Sequence, residues 1–418
     1  MTAKTESQVG TVGQAGMVGQ AGTVSRAETE SRAEAGADSS PAARPWRVLV
    51  TGATGFIGSA VLRELLRTEV DTSPQFPLST EPVSSSQSQP LPATEPGSSP
   101  RPLQILATSR KPPASPDHTT APNLAWLQAD LSDPATLRGI CGEGDGGDGG
   151  DGGDDGDGGR VDVLLHLASD IGRDEEHCEL VNVRGTAALV DEAVRAGVGR
   201  IVHLSTAAVY GAGPHSGLDV DEIAPEPVSA ASRTRLAAEQ LVLAAGGTVL
   251  RPGLVLGAGD RWVVPALAEL LSRVPARWDG GRGLLSVVAV EDLARLFVRL
   301  ALSPYDIPGG VHHASHPTPV SNGDLMDTLL AHAVFPNAPY RASALPGLSW
   351  PDCLQWLEAA PGRVSERQFA LLARDHWYRS DEVWTAAACD PGPGPLARLA
   401  EAADWYRAHL RARLQTHA

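Results

Sequence analysis

The sequence predicts an α/β fold: a doubly wound parallel sheet followed by a smaller α/β C-terminal subdomain. Three observations support this prediction. Apolar runs alternate with helical patterns between residues 46 and 255, a glycine-rich turn joins the first strand to the first helix, and the regular order loosens after residue 255. Strands that alternate with helices form β-α-β units, and these build a parallel sheet covered on both faces.

The elements follow a regular order along the chain. The runs that predict strands are RVLVTGA (47–53), LQILATS (103–109), VDVLLHLAS (161–169), RIVHLST (200–206) and TVLRP (248–252). Helical periodicity predicts helices over 57–67, 187–196 and 233–245. We therefore expect a first, nucleotide-binding domain over 46–255 and a smaller, mainly substrate-binding subdomain over 256–418.

Three segments are predicted to be disordered. Residues 1–45 are small and polar, without apolar periodicity. Residues 71–102 contain eight Pro and eight Ser, and residues 141–160 contain eleven Gly with seven acidic residues against one Arg. Such segments cannot bury a core, so the last two are expected to be insertions in the first domain.

Charge and composition exclude several classes of partner. The 418 residues include 34 Lys and Arg against 50 Asp and Glu, a net charge of −16. This argues against nucleic acid or an anionic membrane as the main partner, because both demand a basic surface. No apolar run approaches a membrane span. The four cysteines form no C-x-x-C pair, which fits a reducing compartment, so we predict a cytoplasmic protein. The histidines of VHHASH (311–316) have no acidic or Cys ligand at suitable spacing, so we predict no metal site.

A glycine-rich turn lies between the first strand and the first helix. Gly52, Gly55 and Gly58 have G-x-x-G-x-x-G spacing, in which the glycines allow a tight turn, close approach of a pyrophosphate and helix–strand packing. The helix N-terminus adds free N–H groups and a positive dipole. The predicted sheet is therefore of the dinucleotide-binding Rossmann type. The residues of the turn expected to contact the cofactor are Gly52, Thr54, Gly55, Phe56, Ile57 and Gly58.

With this turn and four further motifs, the chain resembles the extended short-chain dehydrogenase/reductase family, also called the NAD-dependent epimerase/dehydratase family. The resemblance covers roughly residues 46–300. It implies that Asp130 and Leu131 contact adenine, and that the HLAS motif lies beside the nicotinamide ribose. The other two of the four motifs are NVRGT (182–186) and LSTAAVYG (204–211). Later in the chain, LRPGLVLGAGDR (250–261) and SVVAVEDLAR (286–295) resemble the family's substrate-side landmarks. The additional cofactor-binding residues implied are Leu167, Ala168, Ser169 and Pro252.

The end of the second strand indicates the choice of cofactor. NAD-selective sites place an acid there for the ribose 2′-hydroxyl, whereas NADP-selective sites have a small residue and a nearby Arg. The chain reads Thr108-Ser109-Arg110-Lys111 at this point. Ser109 and Arg110 are therefore predicted to bind the 2′-phosphate, so NADP(H) is favoured and NAD(H) is less so.

The catalytic residues implied by the resemblance depart from the family pattern. The family works with Ser or Thr and a Tyr-x-x-x-Lys helix, in which Tyr passes the proton and Lys holds the ribose. Thr206 lies at the Ser/Thr position, but RLAAEQ (235–240) puts Arg235 at the Lys position and Ala231 at the Tyr position. None of the five tyrosines has Lys four residues later. Asn182 resembles the helix asparagine of a water-linked proton relay.

The resulting hypothesis is an NADPH-dependent ketoreductase of a secondary-metabolite pathway. Atypical ketoreductases of aromatic polyketide (angucyclinone) biosynthesis resemble this chain in lacking the Tyr-Lys pair. The partner would be a small-molecule ketone, and a homodimer is the expected assembly. The proton would come from the substrate or water, from Ser229 or Ser232, or from the loop residues His215, Asp219 and Glu222. Two alternatives stay open: a nucleotide-sugar 4-ketoreductase, epimerase or dehydratase, and a non-catalytic NADP-binding sensor or scaffold.

Overall fold

Seven parallel strands form the main sheet. The computed structural model describes residues 44–70, 102–111, 121–142, 159–305, 307, 309–335 and 345–415. The strands in these ranges are β1 (Trp46–Thr51), β2 (Leu103–Ser109), β3 (Leu124–Gln128), β4 (Val163–His166), β5 (Arg200–Leu204), β6 (His215–Leu218), β7 (Thr248–Arg251), β8 (Leu254–Leu256), β9 (Arg277–Trp278), β10 (Leu284–Leu285), β11 (Val287–Ala289), β12 (Gly310–His313), β13 (Val320–Ser321), β14 (Gly347–Leu348) and β15 (His376–Tyr378). The main sheet has the order β12-β7-β5-β4-β1-β2-β3, which is the Rossmann order extended by one strand.

Helices cover both faces of this sheet. Other helices lie in the C-terminal part. In chain order, the helices of the described ranges are α1 (Phe56–Val70), α2 (Glu175–Cys178), α3 (Thr186–Arg195), α4 (Ala230–Ala244), α5 (Val263–Arg273), α6 (Val290–Leu302), α7 (Asn322–Ala331), α8 (Trp350–Ala359), α9 (Glu366–Ala373), α10 (Asp381–Ala386) and α11 (Pro395–Gln415). A π-helical segment, Glu179–Gly185, joins α2 to α3. None of the helices in the described ranges is long and apolar enough to cross a membrane.

The apolar runs predict the sheet because alternate side chains enter opposite cores. Val48 and Val50 of β1 pack with α1 and α6 on one face, whereas Leu49 packs with α3 on the other, and all three are fully buried. Each such side chain contributes about 1.5–3 kcal/mol through removal from water. The predicted doubly wound sheet is confirmed.

A second core supports the C-terminal part. Helices α5, α7, α8, α9 and α11 enclose it, with the ring of Trp278 edge-on to that of Phe369 at a centroid distance of 5.0 Å. A mixed sheet in the order β13-β10-β15-β6 lies in this part of the chain. These elements match the predicted smaller α/β subdomain.

The predicted division at residue 255 is wrong in two places. β12 pairs with β7 in the main sheet, and the apolar face of α6 packs on α1, so both elements belong to the first domain. Conversely, β6 pairs with β15 of the C-terminal sheet. The chain crosses between the two parts several times, which a single boundary in the sequence does not represent.

Two of the segments predicted to be disordered, 1–45 and 141–160, also extend too far into the folded part of the chain. Arg44 bonds to Asp162 in the folded part. Cys141 is fully buried, and its carbonyl accepts a hydrogen bond from Val161, so the segment predicted as 141–160 includes ordered residues at both ends. Residues 1–43, 71–101 and 143–158 lie outside the described residues.

Candidate active site

The glycine-rich turn packs so closely that side chains are excluded. Gly52 has φ of 69°, and a Cβ there would lie 2.7 Å from the amide nitrogen of Ala168. A Cβ on Gly58 would lie 2.0 Å from the carbonyl oxygen of Gly52. Thr54 and Gly55 are exposed directly before α1 begins at Phe56. The turn therefore offers bare backbone and a helix N-terminus to an anionic group.

The end of β4 is bonded to this turn. The hydroxyl of Thr51 accepts hydrogen bonds from the amides of Leu167 (3.2 Å) and Ala168 (3.3 Å), and it shares a bond of 2.8 Å with Nδ1 of His166. Nε2 of His166 lies 2.9 Å from the hydroxyl of Thr186. Burial, with a smaller contribution from Arg235, lowers the pKa of His166 to about 4. A neutral, fully bonded histidine thus fixes the HLA part of the HLAS motif beside the turn, and Ser169 follows it.

Asp130 and Leu131, the residues predicted to contact adenine, lie against the helix that carries the NVRGT motif. Burial alone would raise the pKa of Asp130. The hydrogen bonds from Ser132 and the positive charge of Arg110 outweigh this effect, so the pKa lies below its usual value. A Cβ on Gly185 would lie 2.4 Å from the carbonyl oxygen of Leu131, so the NVRGT helix rests on the Asp130-Leu131 pair.

The end of β2 carries the predicted phosphate contacts. Ser109 is buried and Arg110 is exposed. The hydroxyl of Ser109 has no hydrogen-bond partner among the described residues. An unsatisfied buried hydroxyl is costly, so this position fits a ligand that supplies the missing bond.

Two predicted catalytic residues lie at the carboxyl end of β5. Thr206 caps a 3₁₀ turn, Ala207–Tyr210, by accepting a hydrogen bond of 3.1 Å from the amide of Ala208. Nη2 of Arg235 donates to the carbonyl of Leu204 at 3.0 Å, and its buried Nε has no partner among the described residues. Burial lowers the pKa of Arg235 to about 10, so it stays protonated near neutral pH.

The amide of Asn182 is bonded within the protein. Its Oδ1 accepts from the amide of Asp170 at 2.7 Å, and its Nδ2 donates to the carbonyl of Asp170 and to the hydroxyl of Thr234, one residue before Arg235. Asn182 therefore joins α4 to the segment after β4. Its part in a proton relay stays a prediction.

Helix α4 begins at Ala230, next to Ala231, the residue predicted to stand at the family's tyrosine position. Ser229 caps the helix, and its side chain and that of Ser232 bond to each other's backbone amides in a capping box. Ala231 lies in the first turn, on the side of the helix that carries Arg235 one turn later. In the described residues, the hydroxyls of Tyr210, Tyr378 and Tyr406 all have protein partners.

The other candidate proton donors of the loop are also engaged. Asp219 and Glu222 both pair with Arg379. The hydrogen bond from Arg379 lowers the pKa of Asp219 and so keeps it ionised. Nδ1 of His215 lies 2.9 Å from the hydroxyl of Tyr378. Asp219 is therefore a poor acid at neutral pH.

A buried network behind Thr206 and Arg235 was not predicted. Glu239, one turn after Arg235, is fully buried and pairs with Arg251 while accepting from the hydroxyl of Ser205. Arg251 also donates to the hydroxyl of Tyr210 at 2.8 Å, and this hydroxyl lies 2.7 Å from Nε2 of His313. The 205–210 turn is thus held at both ends. Three of these residues occur in motifs that the sequence analysis names: Glu239 in RLAAEQ, Arg251 in LRP and Tyr210 in VYG. The motifs do not indicate that these side chains bond to one another.

Pro252 closes the same turn from the side of β7. Its carbonyl accepts a hydrogen bond of 2.9 Å from the amide of Ala207. Most of the predicted cofactor and catalytic residues therefore follow the carboxyl ends of β1, β2, β3, β4, β5 and β7. Asn182, in the π-helical segment, and Arg235, on α4, bond to the segment after β4 and to the end of β5. This is the edge at which ligands bind in open parallel sheets.

Comparison with known proteins agrees with the family indicated by the motifs. Residues 156–312 match the model of the NAD dependent epimerase/dehydratase family. This segment belongs to that family. A relative from Stigmatella aurantiaca is named 4-hydroxy-2-methyl-3-oxo-4-farnesyl-3,4-dihydroquinoline-1-oxide ketoreductase. It is 33% identical over 198 residues, which cover 44% of this chain and 58% of the relative.

Two further comparisons cover more of the chain. The 2-alkyl-3-oxoalkanoate reductase of Stenotrophomonas maltophilia is 26% identical over 358 residues, covering 79% of this chain and 91% of that protein. The solved structure of Bordetella bronchiseptica WbmG in complex with NAD has a TM-score of 0.58 at 15% identity, over 89% of this chain and 97% of that chain. At this identity the likeness establishes the fold alone. The family and these relatives support an NAD(P)-dependent oxidoreductase.

Proposed function

We propose that this protein is an NADPH-dependent ketoreductase that reduces an aromatic, polyketide-type ketone in a secondary-metabolite pathway. The observation that carries the proposal is the composition of α4 and β5. Arg235 and Thr206 stand at one end of β5, where the family has its Lys and its Ser/Thr, while Ala231 replaces the proton-donating tyrosine. The site keeps groups that position a cofactor and a carbonyl, and it lacks the acid.

NADPH would be held by the glycine-rich turn, Ser109 and Arg110. The bare backbone before α1 suits the pyrophosphate. Ser109 has an unsatisfied hydroxyl, and the exposed Arg110 can bind a 2′-phosphate bidentately. When bound, the nicotinamide would supply hydride. Arg235 would face the ribose as the lysine does in the family.

The proton would come from the substrate or from water. Arg235 cannot act as an acid near neutral pH, and Thr206 can orient the carbonyl but is a weak acid. Loss of a general acid typically costs about 10²–10⁴-fold in rate. A ketone with its own phenolic hydroxyl beside the carbonyl would recover part of that loss.

The side chains near Ala231 suit an apolar substrate. Arg233 donates to the carbonyl of Val228 at 3.3 Å and pairs with Glu175 at 2.7 Å, so it ties the segment after β4 to the start of α4. These segments carry two exposed aliphatic side chains, Ile171 (72% exposed) and Val228 (47% exposed). In the proposed site these side chains would line the substrate side, where they would favour a planar aromatic substrate over a sugar. The relative from Stigmatella aurantiaca, a quinoline-oxide ketoreductase by name, supports the same class.

The proposal also includes the cytoplasm as location and a homodimer as assembly. All four cysteines are buried free thiols, which suits a reducing compartment. Size-exclusion chromatography with light scattering would measure the assembly, and a monomer at working concentration would remove that part of the proposal.

The function is tested first by fluorescence titration with NADPH and NADH. We expect NADPH to bind more tightly, and Arg110→Ala to weaken NADPH about 10- to 100-fold while NADH changes little, because a charged hydrogen bond contributes about 1.5–3 kcal/mol. Arg282→Ala, an exposed arginine of the C-terminal part, is the matched control. Equal losses for both cofactors would contradict the phosphate role of Arg110.

Turnover then separates the reductase from its rivals. We expect oxidation of NADPH with phenolic polycyclic ketones, and slower turnover when the phenol is methylated. Thr206→Ala should also slow the reaction. Tightly held NAD(H) that does not exchange would instead favour an epimerase or dehydratase, and binding of neither cofactor would favour a scaffold.

A further inference from the structure

The loop of residues 257–262, between β8 and α5, lies against the glycine-rich turn. A Cβ on Gly259 would lie 2.8 Å from Cδ2 of Phe56, the first residue of α1. Gly259 also has φ of 111°, so a side chain there would be both strained and obstructed. The loop therefore touches the turn at Phe56, one of the six turn residues expected to contact the cofactor.

A buried carboxylate holds this loop. Asp260 is almost fully buried and accepts hydrogen bonds from the amides of Trp262 (2.8 Å), Val263 (2.8 Å) and Val264 (2.9 Å). Burial raises the pKa of Asp260, while these bonds favour the charged form. Asp260 thus satisfies the free N–H groups at the start of α5.

The last helix holds the same loop from the other side. Tyr406 of α11 is fully buried, and its hydroxyl donates to Oδ2 of Asp260 at 3.1 Å and accepts from the amide of Gly257 at 2.8 Å. Both hydrogen bonds of this hydroxyl therefore end on the loop. No part of the proposed reaction mechanism uses them.

We infer that Asp260 and Tyr406 are positioning residues for the dinucleotide, because they fix the 257–262 loop against Phe56 of the glycine-rich turn. Helix α11 thereby becomes a determinant of cofactor affinity, although it lies about 340 residues after the turn in the sequence. The inference rests on the proposed cofactor. The side-chain hydrogen bonds of both residues join them to each other, to the loop and to the start of α5, so both act through Gly259.

The test is Tyr406→Phe in the full-length chain, with the exposed Tyr305→Phe as control. The probe is NADPH, titrated by fluorescence far below the unfolding temperature of each variant. We expect the Kd of Tyr406→Phe to rise about tenfold, which corresponds to ~1.4 kcal/mol, and that of Tyr305→Phe to stay unchanged. Asp260→Asn, which keeps one acceptor oxygen, serves as the second variant if Tyr406→Phe does not fold.

The outcomes distinguish this inference from the proposed function. If the wild type binds NADPH and Tyr406→Phe melts at a lower temperature but binds NADPH equally well, the hydroxyl has a purely structural role and the inference is overturned. If the wild type binds neither NADPH nor NADH, the proposed function fails and this inference fails with it. A raised Kd in Tyr406→Phe or Asp260→Asn, at temperatures where the variant is fully folded, supports the inference.

Discussion

The glycine-rich turn and the α4 region lie at the same edge of the sheet, but they are held together differently. The turn is built by backbone contact: Gly52 and Gly58 touch neighbouring backbone atoms so closely that a Cβ has no room. The α4 region is built by buried charge, with Glu239 between Arg251 and the hydroxyl of Ser205. Steric exclusion shapes one half of the site, whereas a paired carboxylate organises the other.

This difference suggests which half tolerates chemical change. A backbone-built turn depends on the absence of side chains, so its residues can vary little without loss of the ligand. A charge-built region keeps its shape as long as the buried pair is intact. In the proposed site, Ala231 and Arg235 would therefore replace the family's Tyr and Lys while Glu239, Arg251 and Thr206 keep their arrangement.

The largest effect should come from the charged region. Glu239→Gln would leave Arg251 as an uncompensated buried charge, and breaking a buried pair typically costs about 3–5 kcal/mol. We expect a loss of roughly 3 kcal/mol in the free energy of unfolding, measured with denaturant, together with loss of the proposed reductase activity.

The matched control is Glu401→Gln on α11. Glu401 also pairs with an arginine, Arg398, but its side chain is 59% exposed, so the expected loss is below about 1 kcal/mol. Similar small losses for both variants would show that buried charge does not hold the α4 region, and the contrast between the two halves would disappear.

The two halves also differ in how far the sequence predicts them. Gly52, Gly55 and Gly58 lie within seven residues, and the purpose of each follows from local geometry. That Arg235 stands at the family's Lys position stays a prediction, which rests on the match of the surrounding RLAAEQ. The Glu239–Arg251–Tyr210–His313 network joins four elements, and nothing in the spacing specifies which side chains meet.

Topology set a second limit on prediction. The position of β12 in the main sheet and of β6 in the C-terminal sheet depends on long-range pairing, which short apolar runs do not specify. The ordered Cys141 was missed because its neighbours are glycine and acidic residues, although the cysteine itself is a typical core residue.

An intermediate effect should come from Gly58→Ala. Its Cβ would meet the carbonyl oxygen of Gly52 at 2.0 Å, and overpacking costs typically ~1–3 kcal/mol. We expect the Kd for NADPH to rise roughly 10- to 100-fold because the turn must open. Gly199→Ala is the control, since its Cβ would lie 3.7 Å from the nearest atom. If the variant binds NADPH normally, close backbone contact does not shape this half.

The smallest effect is a pH dependence shared by both halves. Burial lowers the pKa of His166, beside the turn, and of His313, in the α4 network, to about 4 each, against about 6.5 for an exposed histidine. Between these values the unfolded chain binds more protons than the folded chain, so stability falls as the pH falls from 6.5 towards 4. Each histidine should cost about 1 kcal/mol between pH 7 and pH 5.5.

Urea unfolding across this pH range measures the slope rather than the absolute stability of each variant. His166→Gln and His313→Gln should each flatten the slope by a similar amount, although they lie in different halves of the site, whereas His177→Gln on the exposed surface should leave it unchanged. If only one of the buried histidines contributes, the other is already protonated or reached by water in the folded protein. That result would show that burial does not lower the pKa of that histidine in the folded protein, and that the two halves differ in how well they exclude water.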